Sequence, residues 1–164
     1  MTNLIKKTFI ILIISFISAK SAHSNDKVTL LLDWFINPDH GPIIIANEKG
    51  IFRDAGLEIE IIPPANPADP PKLVAAGKAD IAISYQPQLH MQVHEGLPVT
   101  RVGTLVATPL NCLLVLEDGP IKTLSDLKNK KIGYSISGME QALLSAILKK
   151  AKVNKDEVEY VNVN

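Results

Sequence analysis

The chain has 164 residues, of which 46% are apolar, 21% charged and 5% aromatic, and its 17 basic residues equal its 17 acidic ones. The apolar fraction is too high for a disordered chain, and a formal net charge of zero leaves no basic excess for binding nucleic acid. The single cysteine, Cys112, excludes an internal disulfide framework and a cysteine-based zinc site.

Residues 1–24 are predicted to be a secretory signal peptide, cleaved near Ser24 and Asn25. Two lysines precede an apolar run at 9–17, and small residues stand at 22 and 24, where a signal peptidase reads them. The run is shorter than the roughly 20 residues of a transmembrane helix, and an uncleaved anchor is the alternative. The signal carries three of the basic residues and no acidic one, so the mature chain has a formal charge of −3. We therefore expect a periplasmic protein.

The mature chain alternates between strand and helix patterns. Short apolar or alternating runs predict strands at residues 28–32, 57–62, 80–84, 99–106, 112–116, 131–134 and 158–163. Helices are predicted at residues 42–49, 70–76, 86–95, 123–127 and from 137 or 138 to 150, with Gly50 as the C-cap of the first. This order predicts an α/β fold with a mixed, mostly parallel sheet flanked by helices. Cys112 falls in an apolar run, and we expect it to be buried.

In such sheets, ligands bind outside the carboxyl ends of the strands, so the loops there supply the candidate ligand-binding residues. Trp34 or Tyr85 could stack on a planar ring, while amides and a carboxylate bond its edges, as in small-molecule pockets. The candidates after the four relevant strands are Trp34, Asn37 and His40; Ser84, Tyr85 and Gln86; Thr108 and Asn111; and Gly138 and Glu140.

Several of the candidates also have a purely structural interpretation. Trp34 could belong to the core, Asn37 and Asp39 could shape a turn, and His40 could cap the following helix. Glu140 at a helix N-terminus is favoured by the helix dipole alone. No nucleophile, base and orienting group occur together, so no catalytic residue is assigned. No residues have metal-ligand spacing, and His90 and His94 are interpreted as part of a solvated helix face.

From Lys27 onward, the chain resembles the solute-binding proteins of ABC importers, in the branch that includes periplasmic pyrimidine-precursor binders and the fungal hydroxymethylpyrimidine phosphate synthase. The pattern D-W-x-x-N-x-x-H is the most specific element. The matching stretches are LDWFINPDH (32–40), ANEKGIF (46–52), AGLE (55–58), LVAAGKAD (73–80), SYQP (84–87) and LSDLKNKKIG (124–133).

The resemblance implies a type II periplasmic-binding fold whose two lobes close on a small planar heterocyclic ligand and then meet a membrane permease. Lobe one would cover residues 25–117, and residues 118–164 would begin an incomplete lobe two, so we expect the chain to be truncated. A thiamine pyrimidine precursor, such as hydroxymethylpyrimidine or formylaminomethylpyrimidine, would stack on Trp34 and Tyr85. Asn37, His40 and Glu140 would contact its nitrogens, and no cofactor is implied.

Two alternatives keep the fold and change the function. The synthases carry pyridoxal phosphate on a lysine after the third strand and a histidine one helical turn later. The matching positions here are Ser84 and Gln88, which argues against an enzyme. The other alternative is a binder of a sulfonate or another small anion. The loop from Trp34 to His40 argues against it, as does the presence of only two arginines, Arg53 and Arg101.

Overall fold

The computed structural model describes residues 25–108 and 110–163, so the predicted signal peptide lies outside the described residues. Within this part of the chain, strands and helices alternate and all strand pairs are parallel. The α/β fold class is confirmed. None of the helices described here is both long and apolar enough to cross a membrane.

The first sheet contains three parallel strands, β1 (Asp26–Leu31), β2 (Leu57–Ile62) and β3 (Ile81–Ala82), in the order β2-β1-β3. The central strand β1 is covered most, and Leu31 and Leu32 at its end are buried. β2 alternates apolar and acidic residues because one side of this edge strand faces solvent. β3 is shorter than its predicted span of 80–84, and only its first two apolar residues pair with β1.

The helices of the first sheet are short, and most of them have a proline in the first turn. A 3₁₀ turn η1 (Pro38–His40) leads into α1 (Gly41–Glu48), and α2 (Ile51–Asp54) follows it; α3 (Pro70–Ala75) and α4 (Gln86–His94) precede and follow β3. Gly50 separates α1 from α2 with a φ of +72°, a left-handed conformation that suits glycine. The C-cap of α1 is Lys49 rather than the predicted Gly50, which is the left-handed residue directly after the cap. The additional helix α2 was not predicted.

The second sheet is a single β-α-β unit. It contains η2 (Leu124–Leu127), β4 (Lys131–Tyr134), α5 (Met139–Lys150), η3 (Lys155–Glu157) and β5 (Glu159–Asn162), with β4 and β5 parallel. The helix α5 buries one face on this pair of strands. The resulting hydrophobic cluster consists of Leu127, Ile132, Leu144, Leu148, Val153 and Val158.

Two predicted strands, 99–106 and 112–116, are wrong, because both segments form neither helix nor strand in the structure. Their apolar side chains are mostly exposed: Val102 is 83% and Leu114 91% accessible. A strand needs a neighbour that accepts and donates its backbone hydrogen bonds. No described strand pairs with either segment. For the same reason the prediction that Cys112 is buried is wrong, since it lies in this segment and is exposed.

The two sheets meet where α4 packs against α5. At this point Gly138, just before α5, lies so close to α4 that a Cβ built on it would be 3.9 Å from Cε of Met91. The loop after β4 is therefore brought next to the helix that follows β3. The division into lobes at residues 117 and 118 remains a prediction.

Candidate functional site

The carboxyl ends of β1 and β3 lie side by side. Leu31 pairs with Ala82, and the Ile83 amide donates to the Leu31 carbonyl at 2.9 Å. The residues that follow each strand, Asp33 and Tyr85, therefore emerge at the same edge of the sheet. The two loops act on each other, because hydrogen bonding to the Asp33 carboxylate and its charge both raise the pKa of the Tyr85 hydroxyl.

Tyr85 is the centre of a cluster of negative charge. Its side chain is half-buried, and burial, followed by the hydrogen bond and charge of Asp33, raises the pKa of its hydroxyl well above the ordinary value. The charges of Glu140 and Asp39 raise the same pKa further. Since Glu140 follows β4 whereas Asp33 follows β1, the cluster combines residues from both sheets. We call Asp33, Asp39, Tyr85 and Glu140 the acidic cluster.

The Asp33 carboxylate is bonded by the ring of His40, whose side chain is only 1% exposed. His40 Nε2 lies 2.8 Å from Asp33 Oδ1, and the Asn37 backbone amide donates to His40 Nδ1 at 3.2 Å. Both ring nitrogens are therefore bonded within the loop itself. A direct contact between His40 and a ligand would require one of these bonds to break.

Asn37 shapes the turn in which it lies. Its Oδ1 accepts from the Asp39 amide at 2.9 Å, and its Nδ2 donates to the Phe35 carbonyl at 3.0 Å. This is an Asx-type N-cap of η1. Both the oxygen and the nitrogen of the Asn37 side-chain amide are therefore bonded within this turn, as the structural interpretation of Asn37 predicts.

Glu140 and Gly138 shape the start of α5. Glu140 Oε2 accepts from the backbone amides of Ser135 at 2.6 Å and Ile136 at 3.2 Å, so the carboxylate closes the loop after β4. Neither bond involves its other oxygen, Oε1. Gly138 has a φ of +84°, which permits the sharp entry into the helix.

Trp34 is half-buried and is not a core residue. Its ring meets that of Phe35 edge-to-face, with centroids 5.7 Å apart and planes at 80°. Phe35 is 63% exposed, so the pair stands at the surface beside Asp33. Such an exposed aromatic edge suits a stacking role better than a purely structural one.

Ser84 and Gln88 form a closed polar pair. Ser84 Oγ donates to Gln88 Oε1 at 3.0 Å, and Gln88 Nε2 donates to the Ala68 carbonyl at 3.4 Å. Gln88 is buried, and these bonds satisfy its amide. Gln86 instead points outward, where it bonds His90 at 2.6 Å and Arg101 at 2.9 Å.

The structure does not bring every candidate to the acidic cluster. Thr108 and Asn111 are exposed in the segment without regular structure, and no hydrogen bond described for the cluster involves them. Conversely, Asp33 and Asp39 were not among the candidates. An acidic residue directly after an apolar, buried strand is the sequence signal that identifies Asp33.

An open depression lined by Ser145, Lys149 and Lys152 lies at the opposite end of α5 and shares no residue with the cluster.

Comparison with solved structures defines the class of fold. The periplasmic aliphatic sulphonate binding protein SsuA from Escherichia coli is similar, with a TM-score of 0.63 and 19% identity over 84% of this chain and 45% of that chain. The chain thus has the α/β fold of periplasmic solute-binding proteins. The model of the family described as NMT1/THI5 like matches residues 37–164, and the chain belongs to that family.

The curated relatives include both a binding protein and a synthase. A Haemophilus influenzae protein named for thiamine biosynthesis is 53% identical over 86% of this chain and 45% of its own length. A formylaminopyrimidine-binding protein of Halalkalibacterium halodurans is 30% identical over 89% and 44%. A 4-amino-5-hydroxymethyl-2-methylpyrimidine phosphate synthase of Saccharomyces cerevisiae is 39% identical over 68% and 33%. The chain spans less than half the length of these relatives.

Proposed function

We propose that this protein is the solute-binding component of an ABC importer and that it binds a planar aminopyrimidine related to the precursors of thiamine. The observation that carries this proposal is the acidic cluster, in which the carboxylates of Asp33, Asp39 and Glu140 lie near enough to the Tyr85 hydroxyl to raise its pKa. An aromatic ring beside carboxylates, contributed by two halves of a molecule, suits a flat ligand that is enclosed when the halves approach.

The chemistry of the cluster favours a basic ligand over an anionic one. An aminopyrimidine has an exocyclic amino group that donates to a carboxylate, and protonation of a ring nitrogen adds a second, charge-assisted donor. The three carboxylates would repel a sulfonate. Of the two arginines, Arg101 bonds Gln86 outside the cluster and Arg53 lies beside Asp54. We assign stacking to Trp34 and Tyr85 and hydrogen bonding to Glu140 and Asp33.

The relatives support the same ligand class, because one is named as a formylaminopyrimidine-binding protein. The predicted signal peptide supports export, and we propose a periplasmic location with delivery to a permease. Cell fractionation tests the periplasmic location. The protein is expected in the periplasmic fraction, and its retention in the cytoplasm would contradict export.

The synthase remains the second candidate because a synthase matches two thirds of the chain at 39% identity. The residues present do not fit the pyridoxal phosphate of the synthases. Ser84 has no amine for a Schiff base, Gln88 has no imidazole, and the two side chains are bonded to each other. We expect the purified protein to lack pyridoxal absorbance after incubation with the cofactor. A stable absorbance band that borohydride fixes covalently would favour the enzyme instead.

Calorimetric titration with 4-amino-5-hydroxymethyl-2-methylpyrimidine tests the binding role. Trp34→Ala is expected to weaken binding about tenfold to a hundredfold, since stacking of one base on an aromatic ring contributes about 1–3 kcal/mol. Ile36→Ala is the matched control, because Ile36 is an exposed apolar neighbour in the same loop. Ethanesulfonate is expected not to bind. Unchanged affinity in Trp34→Ala, or tighter binding of the sulfonate, would overturn the assignment.

A further inference from the structure

A chain of hydrogen bonds runs from the interior of the first loop to the acidic cluster. It starts at the Asn37 backbone amide and passes through the buried His40 ring to the Asp33 carboxylate, which in turn raises the pKa of the neighbouring Tyr85 hydroxyl. Only Asp33 and Tyr85 belong to the acidic cluster. His40 is almost fully enclosed, so it acts on the site through Asp33.

The geometry determines which nitrogen of His40 carries the proton. A backbone N–H can only donate, so Nδ1, which faces the Asn37 amide, accepts and is unprotonated. The ring proton is therefore on Nε2, where it is donated to Asp33 Oδ1. The two nitrogens thus have separate partners. Nδ1 holds the turn, and Nε2 holds the carboxylate.

We propose that His40 is a positioning residue for the ligand site, whose Nε2–H fixes the Asp33 carboxylate so that Asp33 in turn orients the Tyr85 hydroxyl. Its effect on affinity rests on the proposed aminopyrimidine-binding function. A carboxylate held by one fixed donor presents its remaining lone pairs in one direction, and hydrogen-bonded networks of this kind are stronger than isolated pairs. Without the Nε2 donor, Asp33 is free to rotate away from Tyr85.

Two substitutions separate the two bonds of His40. Asparagine places its side-chain oxygen near the position of Nδ1, so His40→Asn retains the acceptor for the Asn37 amide but does not reach Asp33. Glutamine places its amide nitrogen near the position of Nε2, so His40→Gln retains the donor to Asp33 but loses the bond to the turn. A purely structural role in the turn would make His40→Gln the damaging change. The positioning role makes His40→Asn the damaging one.

The first measurement uses the fluorescence of Trp34, the single tryptophan of the sequence, during titration with 4-amino-5-hydroxymethyl-2-methylpyrimidine. His40→Asn is expected to bind at least about tenfold more weakly than the wild type, as for the loss of a hydrogen bond to a charged group. His40→Gln is expected to stay within about threefold. The reverse order, or equal affinities, would overturn the inference.

The second measurement needs no ligand. Protein labelled with ¹³C at the tyrosine ring carbon that bears the hydroxyl gives signals from three tyrosines, and Tyr85→Phe identifies that of Tyr85. Asp33→Asn provides the shift expected when the charged acceptor is lost. His40→Asn is expected to move the Tyr85 signal toward that of Asp33→Asn, while His40→Gln leaves it at the wild-type position. A Tyr85 signal that does not change in His40→Asn would refute the positioning role.

The two measurements fail independently. If the wild type does not bind the pyrimidine, the proposed function is wrong, and the tyrosine signal alone decides whether His40 positions Asp33. If the wild type binds but His40→Asn binds equally well, the function stands and the positioning role is wrong. Thermal unfolding of both His40 variants checks that each is folded.

Discussion

The hydroxyl of Tyr85 is surrounded by negative charge from Asp33, Asp39 and Glu140, and its side chain is half-buried. Both effects disfavour the phenolate, so the pKa of this hydroxyl is higher in the folded protein than in the unfolded chain. The folded state therefore holds this proton more tightly. As the pH rises past the ordinary tyrosine pKa of about 10, the unfolded chain loses the proton first, and the stability of the fold decreases.

We predict that Tyr85→Phe removes part of the alkaline loss of stability. The free energy of unfolding of the wild type should decrease as the pH rises above about 10, and the decrease should be shallower in Tyr85→Phe because phenylalanine does not ionise. Urea unfolding at several pH values between 8 and 11 measures both slopes. Tyr134→Phe is the matched control, and identical slopes in Tyr85→Phe and the wild type would contradict the prediction.

The sequence indicates in which loop a candidate residue lies, but not which side-chain contacts it makes. Residue type and loop position brought Tyr85 and Glu140 forward as candidates, because the rule for parallel sheets locates their loops at one edge. Their role in ligand binding stays a prediction. The same reasoning could not show that Asn37 and His40 bond within their own turn, nor that Asp33 faces Tyr85. Those facts depend on side-chain rotamers and on the register of two strands whose paired residues are 51 positions apart in the chain.

At the scale of elements, the junction between α1 and α2 depends on one glycine. Gly50→Ala is expected to lower the free energy of unfolding by about 1–2 kcal/mol, since a side chain at a left-handed φ of +72° is strained. Gly41→Ala is the control, because Gly41 has a φ of −47° and open space around it. This control should be neutral or slightly stabilising. Equal effects of both changes in chemical denaturation would contradict the role of the backbone angle.

The packing of α5 gives a second prediction. Leu148 is fully buried in the hydrophobic cluster, whereas the adjacent Ile147 is exposed on the other face. Leu148→Ala should destabilise the fold by about 2–5 kcal/mol through lost burial and a residual cavity. Ile147→Ala should cost less than about 1 kcal/mol. Chemical denaturation measures both, and comparable losses would show that this face of α5 is not the buried one.

Elements were predictable where the local pattern agreed with the tertiary environment. The strand at 57–62 and the helix α5 have strong periodicity, and their bounds agree with the structure to within a residue or two. The segments 99–106 and 112–116 have equally apolar patterns but no strand beside them in the part of the chain that is described. Apolar periodicity indicates what a segment can form, and its neighbours decide whether it does.

At the scale of the whole molecule, the segment from Val102 to Leu116 exposes several large apolar side chains. Apolar patches of this kind promote association. For the 164-residue chain, the double change Leu114→Lys and Leu116→Lys is expected to reduce concentration-dependent self-association in sedimentation experiments. The free energy of unfolding should stay within about 0.5 kcal/mol, because both side chains are exposed. A large destabilisation would show that they are packed instead.

Local sequence patterns were enough to predict the α/β class, most of the strands and helices, the family resemblance and the loops that hold the candidate residues. These features follow from local periodicity, from turn-forming residues and from short motifs, and each of these patterns involves residues that are close together in the sequence. The tertiary structure alone decided that Asp33, Tyr85 and Glu140 form one cluster. It also decided that the buried His40 ring bonds the Asp33 carboxylate of that cluster. Such contacts join residues far apart in the chain, and only strand register and helix packing bring them together.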